Sequence, residues 1–457
     1  MAQLPALSVS ADGHFFQTED GQPFFLLADT VWLLFNKMDE AGVRRLFENR
    51  ASKGFTVILS VIFRDLFTPN TPNVYGDPPF ASEADMHAVK LNPAWMEHVR
   101  RVVQRAQEYG LFMGLLPTWG DKWNEHSNSA GPVIMDAAKA HAYGRTLSDA
   151  LGDCPNILWV LGGDSPIQTQ AHANIVHAMA TGIRSGASAE RLMTFHPNDV
   201  SVSDVFHTAD WLDFNSMQSG HARPNIADYR TIEHLYRLSP PKPCLNMEAN
   251  FEGCPMFLML QEKDCPAEEP LYSAYDVRKC LYRSVLAGGA GFTYGCEPIR
   301  QVFRKGDRVH VYGRYGEKMP AWEAALDAPG SAQMEHLVKI LQQRSYFTRV
   351  PAQELVLPLK KFLGVGKDYS QQENRDSAAH IRAARCREGR YILAYTPVKQ
   401  PVCLDTSPLN GEVLAVSLFD PETGERTSHY DYTNTGTFTV VPHRDLDTLL
   451  VLDAKSS

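Results

Sequence analysis

An eightfold alternation of apolar, strand-like runs with longer amphipathic stretches most constrains the fold of this chain. Runs such as "FTVILSVIF" are continuously apolar, which is typical of strands buried on both faces. Repeated βα units of this kind build a parallel sheet, and eight of them predict a (β/α)8 barrel. The predicted strands cover residues 23–32, 55–63, 111–120, 156–164, 192–197, 211–220, 243–253 and 291–298. Helices are expected over 39–53, 93–109, 134–151, 171–185, 225–238, 274–288 and 331–345.

The segments on either side of this pattern contain short strands and turns. Before it, "LSVSADGHFFQTEDGQPFF" has two Asp-Gly turn signals and predicts a β-hairpin. After it, "RYILAYTPVKQPVCLDTSPLNGEVLAVSLFD" alternates apolar and polar residues between Pro and Asn-Gly turns, as in an antiparallel β-sandwich. We therefore expect an α/β chain with a hairpin and TIM barrel over residues 1–349 and a C-terminal β-sandwich over 350–457.

Charge and motif content argue against several classes of protein. The chain has 44 Lys and Arg against 53 Asp and Glu, for a net charge of −9, and its basic residues are scattered, so neither nucleic acid nor an anionic membrane is an expected partner. Eight cysteines without a CxxC pair, and the absence of HExxH and glycine-rich phosphate motifs, predict no metal and no cofactor. A metal-dependent hydrolase or lyase stays an alternative, because separate His and Asp residues could meet in space.

The amino-terminal stretch "MAQLPALSVSADG" lacks a basic segment followed by an apolar one, and no window approaches ~18 consecutive apolar residues. As the sequence stands, we expect a cytoplasmic location, with a trimmed exported form as the alternative. The sequence does not predict the oligomeric state.

Carboxylates, amides and aromatic residues follow the predicted strands. In a (β/α)8 barrel the active site lies at the carboxyl ends of the strands. This mixture suits a carbohydrate substrate, because sugar hydroxyls need polar partners while apolar sugar faces pack on aromatic rings. The tryptophans could equally roof the core, and the histidine could be structural. The expected substrate-binding residues are Asp29, Trp32, Arg64, Trp119, His196, Gln218, Asn246, Tyr294 and Glu297.

Asp164 and Glu248 are the two carboxyl groups that we predict to be catalytic. Glycoside hydrolysis needs two such groups with separated protonation states. In "NILWVLGGDSP" an apolar strand runs through two glycines to Asp164, whose burial would raise its pKa toward that of a general acid/base. In "CLNMEANFEG" the amides of Asn246 and Asn250 flank Glu248 and could hold it ionised as a nucleophile. We expect a retaining mechanism, with inversion as the alternative.

Each of the two carboxyl groups also has a structural alternative. Asp164 could serve only as the N-cap of the next helix, since Asp-Ser-Pro is a good helix start. Glu248 could form a structural ion pair with Arg64. In that event the substitutes are Asp29 for the acid and Glu297 or Glu252 for the nucleophile.

Several of these segments together resemble the apiosidase-like glycoside hydrolases of glycoside hydrolase family 140. They are "GQPFFLLADTVWLLF", "KGFTVILSVIF", "NILWVLGGDSP" and "NMEANFEG". The stretches "RSYFTRVPAQELV", "ILAYTPVKQPVCLDTS" and "LFDPETGE" resemble the small β-sandwich that often follows these barrels and is described as a collagen-binding domain. The resemblance covers nearly the whole chain.

The resemblance implies removal of a β-linked apiose, a branched furanose, from pectin or related plant glycosides. The family's catalytic Asp, after the Gly-Gly of strand four, falls on Asp164, and its catalytic Glu, on strand seven, falls on Glu248. Two features depart from the family: the absence of an export signal, and the segment "CPMFLMLQEKDCPAEEPLYS", which could reshape the pocket. A carbohydrate-binding or adhesion protein that has lost activity is the alternative from another class.

Overall fold

The computed structural model describes residues 4–64, 69–126, 131–221, 224–256, 270–307, 318–358 and 377–455. Among these residues, twelve strands precede the C-terminal domain. The eight predicted barrel strands are all present, although each is shorter than its apolar run. In chain order the strands are β1 (Leu7–Val9), β2 (Phe16–Thr18), β3 (Pro23–Phe24), β4 (Leu26–Thr30), β5 (Val57–Val61), β6 (Phe112–Leu116), β7 (Ile157–Gly162), β8 (Met193–His196), β9 (Ser201–Val202), β10 (Asn215–Gln218), β11 (Cys244–Glu248) and β12 (Gly291–Tyr294).

Eight parallel strands form a nearly closed barrel in the order β4, β5, β6, β7, β8, β10, β11 and β12, with β12 pairing back to β4. β8 and β10 do not form a continuous ladder of backbone hydrogen bonds, and individual hydrogen bonds join them instead. Asp213 N donates to Met193 O (2.9 Å), and the Thr194 hydroxyl donates to Phe214 O (2.6 Å). The short strand β9 pairs antiparallel with the carboxyl end of β10. The predicted barrel is thus confirmed, with its weakest seam between the fifth and sixth strands.

The helices form the outer layer of the barrel. Several begin at side-chain caps: Asp39, Asp136 and Thr169 each accept a backbone N–H of the first helical turn. No helix among the described residues has the length and apolarity needed to cross a membrane. The helices are Leu34–Lys37, Glu40–Ser52, Glu83–His87, Pro93–Glu108, Ala137–Ala150, Gln170–Arg184, Asp228–Tyr236, Ala274–Leu286, Glu297–Arg300, Trp322–Ala325 and Pro329–Gln342.

Side-chain alternation divides each barrel strand between the barrel interior and the helical layer. In β4, Leu26 and Ala28 pack inside the barrel with Leu59, whereas Leu27 packs outside among the helices. At the amino-terminal end of the barrel the predicted hairpin β1–β2 inserts Phe16, whose ring lies 5.0 Å from that of Phe214. The hairpin therefore plugs one end of the barrel, and the opposite end holds the polar residues.

The C-terminal domain is an antiparallel two-layer structure, as predicted. Its larger sheet has the order β13-β14-β15-β20-β17-β18, and β16 pairs with β19 in a second sheet. Ile392 and Leu452 of the large sheet share a core with Phe438 of the small one. The strands are β13 (Arg349–Pro351), β14 (Arg382–Cys386), β15 (Tyr391–Thr396), β16 (Val402–Asp405), β17 (Val413–Phe419), β18 (Arg426–Thr433), β19 (Thr437–Val440) and β20 (Thr448–Ala454).

The other face of the large sheet packs against the barrel. Leu393 and Val451 alternate with the sandwich core residues and belong to the same apolar cluster as the barrel helices. Beside them, Arg278 of a barrel helix forms two hydrogen bonds of 2.8 Å with the carboxylate of Asp447, which also accepts from the Tyr395 hydroxyl at 3.0 Å. A buried ion pair and a continuous apolar contact therefore join the two domains.

We predict that Asp447→Ala lowers the free energy of unfolding by about 3–5 kcal/mol, because it leaves the Arg278 guanidinium buried without its partner. Asp445→Ala is the matched control: its carboxylate pairs with Lys399 but is 90% exposed, so its loss should leave the free energy of unfolding nearly unchanged. Chemical denaturation of the full chain measures both. Equal losses in the two variants would contradict a stabilising domain interface at Asp447.

Candidate active site

The turn after β7 delivers Asp164 to the carboxyl end of the barrel. Gly162 and Gly163 have φ of +97° and +99°, and Asp164 itself has φ +56°, so three successive residues adopt the left-handed region. A Cβ on Gly162 would lie 2.3 Å from His196 O, and Gly163 O accepts from Gly120 N at 2.9 Å. The two glycines allow this turn to fit tightly between the loops that follow β6 and β8.

Glu248, the last residue of β11, is buried between two histidines. Its Oε2 lies 3.1 Å from His196 Nε2, and its Oε1 lies 2.9 Å from His221 Nε2. Its backbone oxygen accepts from Ser219 N and Gly220 N, both at 3.0 Å. The segment after β10 thus wraps around the end of β11 and contacts both the backbone and the carboxylate of Glu248.

The surroundings displace the pKa values of the two carboxyl groups in opposite directions. Burial and the nearby charge of Glu248 raise the pKa of Asp164 to about 6. Burial alone would also raise the pKa of Glu248, but hydrogen bonds from His196 and His221 outweigh it and hold that pKa well below its usual range. At pH 5 the site therefore holds a protonated Asp164 beside an ionised Glu248, the division of labour that a glycosidase needs.

Aromatic rings and a guanidinium line the same site. The ring centroids of Trp32 and Trp119 lie 5.2 Å apart in an edge-to-face arrangement, and that of Trp32 lies 5.5 Å from the His196 ring. The guanidinium carbon of Arg64 lies 3.6 Å from the centroid of the Trp119 ring. Burial and the charge of Arg300 lower the pKa of Arg64 to about 10, which still leaves it charged at neutral pH.

The structural alternatives for the catalytic pair are wrong. The N-cap of helix Gln170–Arg184 is Thr169, so Asp164 does not cap it. The partners of the Glu248 carboxylate are the two histidines, and no salt bridge joins it to Arg64 among the described residues, although the two charges interact. Because neither carboxyl group has the structural role that the sequence allowed, both stay candidates for chemistry.

Asp29 and Tyr294 are corrections to the predicted substrate-binding set. Asp29 is fully buried in a 2.6 Å ion pair with Arg50, and the Tyr294 hydroxyl donates to Glu252 at 2.6 Å. Both side chains have the same alternation as outward-facing Leu27 and therefore point to the helical layer, away from the mouth. A sugar at the mouth has no access to either side chain, and Asp29 does not fit the substitute acid.

Glu297 is a further correction. It is fully buried, and its carboxylate accepts two hydrogen bonds from Arg300, at 2.6 and 2.7 Å, and one from Gln301 at 2.6 Å. Glu252 accepts from Tyr294 and from Gly330 N, at the start of helix Pro329–Gln342. Both glutamates therefore have structural partners, and neither fits the substitute nucleophile.

Gln218 and Asn246 lie beside Glu248, but the side-chain amide of Asn246 does not make the contact predicted for it. Gln218 is buried opposite Glu248 in the register of β10 and β11. The amides of Asn246 and Asn250, predicted to hold the carboxylate, donate instead to Ser219 Oγ (2.9 Å) and Gly220 O (2.8 Å). Through these hydrogen bonds the two amides hold the segment that carries His221, and not the carboxylate of Glu248.

Two residues near the site were not predicted. His221 lies beyond the end of β10. The one feature of the sequence that points to its position is the preceding glycine, Gly220, which has φ +66° in the structure. Asp121 follows β6 in "TWGDKW" and is buried, with Oδ2 accepting from Gly131 N at 3.0 Å. The charge of Asp121 acts on Arg64, which places it close to the mouth.

Among the described residues, no group of three or more His, Cys, Asp and Glu side chains has the arrangement of a metal site. Most of the segment after β11 that was predicted to reshape the pocket lies outside the described residues, which stop at 256 and resume at 270.

Solved structures of glycoside hydrolases superpose on nearly the whole chain. One described as a glycoside hydrolase has a TM-score of 0.84 at 26% identity and covers 99% of this chain and 98% of its own. Another, described as a glycoside hydrolase family 5 from Bacteroides vulgatus, has a TM-score of 0.84 at 25% identity and covers 99% and 93%. The fold, the mouth and these likenesses define the protein as a barrel glycoside hydrolase, as predicted.

The family within this class follows from the sequence itself. The family model described as "Apiosidase-like, catalytic domain" matches residues 10–348. The chain belongs to the apiosidase-like family, which confirms the resemblance. A second model, described as "Putative collagen-binding domain of a collagenase", matches residues 368–453, and no curated protein matches the chain.

We predict that Asp164→Asn stabilises the protein, and more at pH 7.5 than at pH 4.5. The folded-state pKa of Asp164 is about 6 against an ordinary value of 3.8, so between these values the folded state binds more protons than the unfolded state. The contribution of Asp164 to the free energy of unfolding of the wild type therefore falls as pH rises from 3.8 through about 6, by up to about 3 kcal/mol. The amide of the variant does not titrate, so the variant does not lose this stability.

Melting temperatures of wild type and variant across pH 4–8 measure this difference. Asp210→Asn, at an exposed position, is the control and should show no such trend. A difference between Asp164→Asn and wild type that stays constant with pH would contradict the raised pKa.

Proposed function

We propose that the protein removes a terminal furanose-type pentose, β-linked apiose above all, from plant glycosides or pectin-derived oligosaccharides by a retaining mechanism. The substrate proposal is supported by the match of residues 10–348 to the apiosidase-like catalytic domain. The assignment of an acid and an ionised carboxylate is carried by one observation: the two carboxyl groups at the mouth have pKa values displaced in opposite directions. Retention follows from the nucleophilic role that we propose for Glu248.

In the first step Glu248 is the nucleophile. Its ionised carboxylate attacks the anomeric carbon while the glycosidic bond breaks, and Asp164 gives its proton to the departing oxygen. The products of this step are the free aglycone alcohol and a glycosyl ester on Glu248. The charge on the Asp164 carboxylate appears only as the ester removes that of Glu248, so the two negative charges do not coexist.

In the second step Asp164 is the base. It takes a proton from water, and the resulting hydroxide equivalent attacks the anomeric carbon and displaces Glu248 as a carboxylate. Both groups thereby return to their starting protonation states. Two successive inversions at the anomeric carbon release the sugar with its original configuration.

The surrounding side chains suit a small sugar in the glycone position. Trp32 and Trp119, which pack edge to face, are candidates for contact with its apolar face, whereas Arg64, His196, Gln218 and Asn246 are candidates for hydroxyl contacts. Arg64 is placed best among the polar residues, since its guanidinium carbon lies 3.6 Å from the centroid of the Trp119 ring and the group keeps its charge.

The test is sugar release from a panel of apiosides, arabinofuranosides and pectin fragments. We expect one pentose to be released by wild type and by the exposed control Glu19→Gln, and Glu248→Gln to lower kcat by about 10⁴-fold or more. Asp164→Asn should lower kcat about 10²–10⁴-fold on natural glycosides, as for loss of a general acid.

Aryl glycosides with good leaving groups separate the two roles. A nitrophenolate needs no proton to depart, so Asp164→Asn should form the glycosyl ester nearly as fast as wild type and show a burst of nitrophenol, while Glu248→Gln should not. Proton NMR of the first product should show the substrate's anomeric configuration. Release of the opposite anomer would contradict retention, and full activity of both variants would contradict the catalytic pair.

A further inference from the structure

His221 lies on a segment that is fixed in place on both sides. Its backbone oxygen accepts from the Tyr272 hydroxyl at 2.9 Å, and its ring lies 4.2 Å from the Phe251 ring. The preceding Gly220 contacts the backbone of Glu248 and accepts from Asn250. The position of the imidazole is therefore set by the fold before any substrate binds.

Both ring nitrogens of His221 face acceptors. Nε2 lies 2.9 Å from Glu248 Oε1, and Nδ1 lies 3.1 Å from Ala249 O. A neutral imidazole has one N–H and one lone pair, so it would leave a lone pair aimed at an oxygen. The imidazolium donates at both positions and satisfies both contacts.

The same pattern occurs on the other side of the carboxylate. His196 Nδ1 lies 3.0 Å from Pro197 O, and its Nε2 lies 3.1 Å from Glu248 Oε2. Each oxygen of Glu248 therefore faces an imidazole whose second nitrogen faces a backbone carbonyl. His221 is the less buried of the two, with 13% of its side chain exposed against 0% for His196.

The other charges around His221 come from several elements. The Asp164 carboxyl group acts on it from the turn after β7, and Asp199 lies against Gly220. The guanidinium carbon of Arg300 lies 5.6 Å from the centroid of the Phe251 ring, on which His221 packs. Of these groups, Glu248 is the carboxylate in direct contact with the ring, at 2.9 Å.

We propose that His221 is a positioning residue that, as an imidazolium, keeps the Glu248 carboxylate ionised and aimed for attack. The proposal rests on Glu248 acting as nucleophile in the proposed function. In the second step the same charge stabilises Glu248 as it departs from the sugar. The glycosidase class alone assigns no such role to this position.

Two variants separate charge from packing. His221→Gln retains a neutral donor near the position of Nε2, and His221→Phe retains only the ring that packs on Phe251. With ¹³C-labelled Glu carboxyl groups and Glu248→Gln for assignment, we expect NMR titration to show the pKa of Glu248 raised by one or more in both variants. We also expect kcat on the cleaved glycoside to fall at least tenfold, more in His221→Phe than in His221→Gln, with KM within about threefold.

His234→Gln is the matched control, because His234 Nε2 also lies 2.9 Å from a carboxylate, that of Asp204, at the protein surface. It should change neither the pKa of Glu248 nor kcat. Wild-type kcat and an unchanged Glu248 pKa in His221→Gln would overturn the proposal. A raised pKa in a chain that cleaves no panel glycoside would instead support the positioning role and count against the proposed substrate.

If both His221 variants fail to fold, the wild type still decides the question. ¹⁵N spectra of the histidine rings should contain two rings protonated on both nitrogens at pH 7, and their coupling to the Glu248 carboxylate should vanish in Glu248→Gln. A neutral His221 ring would overturn the proposal.

Discussion

The negative charge of Glu248 is the feature on which the organisation of the barrel mouth depends. A buried carboxylate is costly unless it is paired, and here the pairing comes from His196 at the end of β8 and His221 beyond β10. These two strands are joined by individual hydrogen bonds and not by a continuous β-ladder. The ion cluster therefore spans the weakest seam of the barrel. Burial, together with the negative charge of Glu248, in turn raises the pKa of Asp164.

Much of the fold could be predicted because its signals are local. Continuous apolar runs identify strands buried on both faces, and their alternation with helices identifies the barrel. The turn that carries Asp164 could also be recognised, because two adjacent glycines after a buried strand indicate a backbone conformation that residues with a Cβ rarely adopt. Glu248 could be recognised as a candidate, because an acidic residue that directly follows an apolar strand requires a partner.

The errors at Asp29 and Tyr294 have a common physical origin. A residue at a strand end faces either the mouth or the helical layer, and a shift of one position reverses its direction. Asp29 faces Arg50, which lies on a helix whose register against the barrel is not encoded near the strand. His221 was missed for the converse reason: it lies outside any strand, and only the folding back of its segment brings it to Glu248.

The most direct measurement is the pH dependence of kcat/KM for a glycoside that the enzyme cleaves. Because Asp164 must be protonated and Glu248 ionised, kcat/KM should be high near pH 5 and fall about tenfold per pH unit above pH 6. The residual activity of Asp164→Asn should lack this decline. A profile that stays flat to pH 8, or a decline that persists unchanged in Asp164→Asn, would contradict the division of roles between the two carboxyl groups.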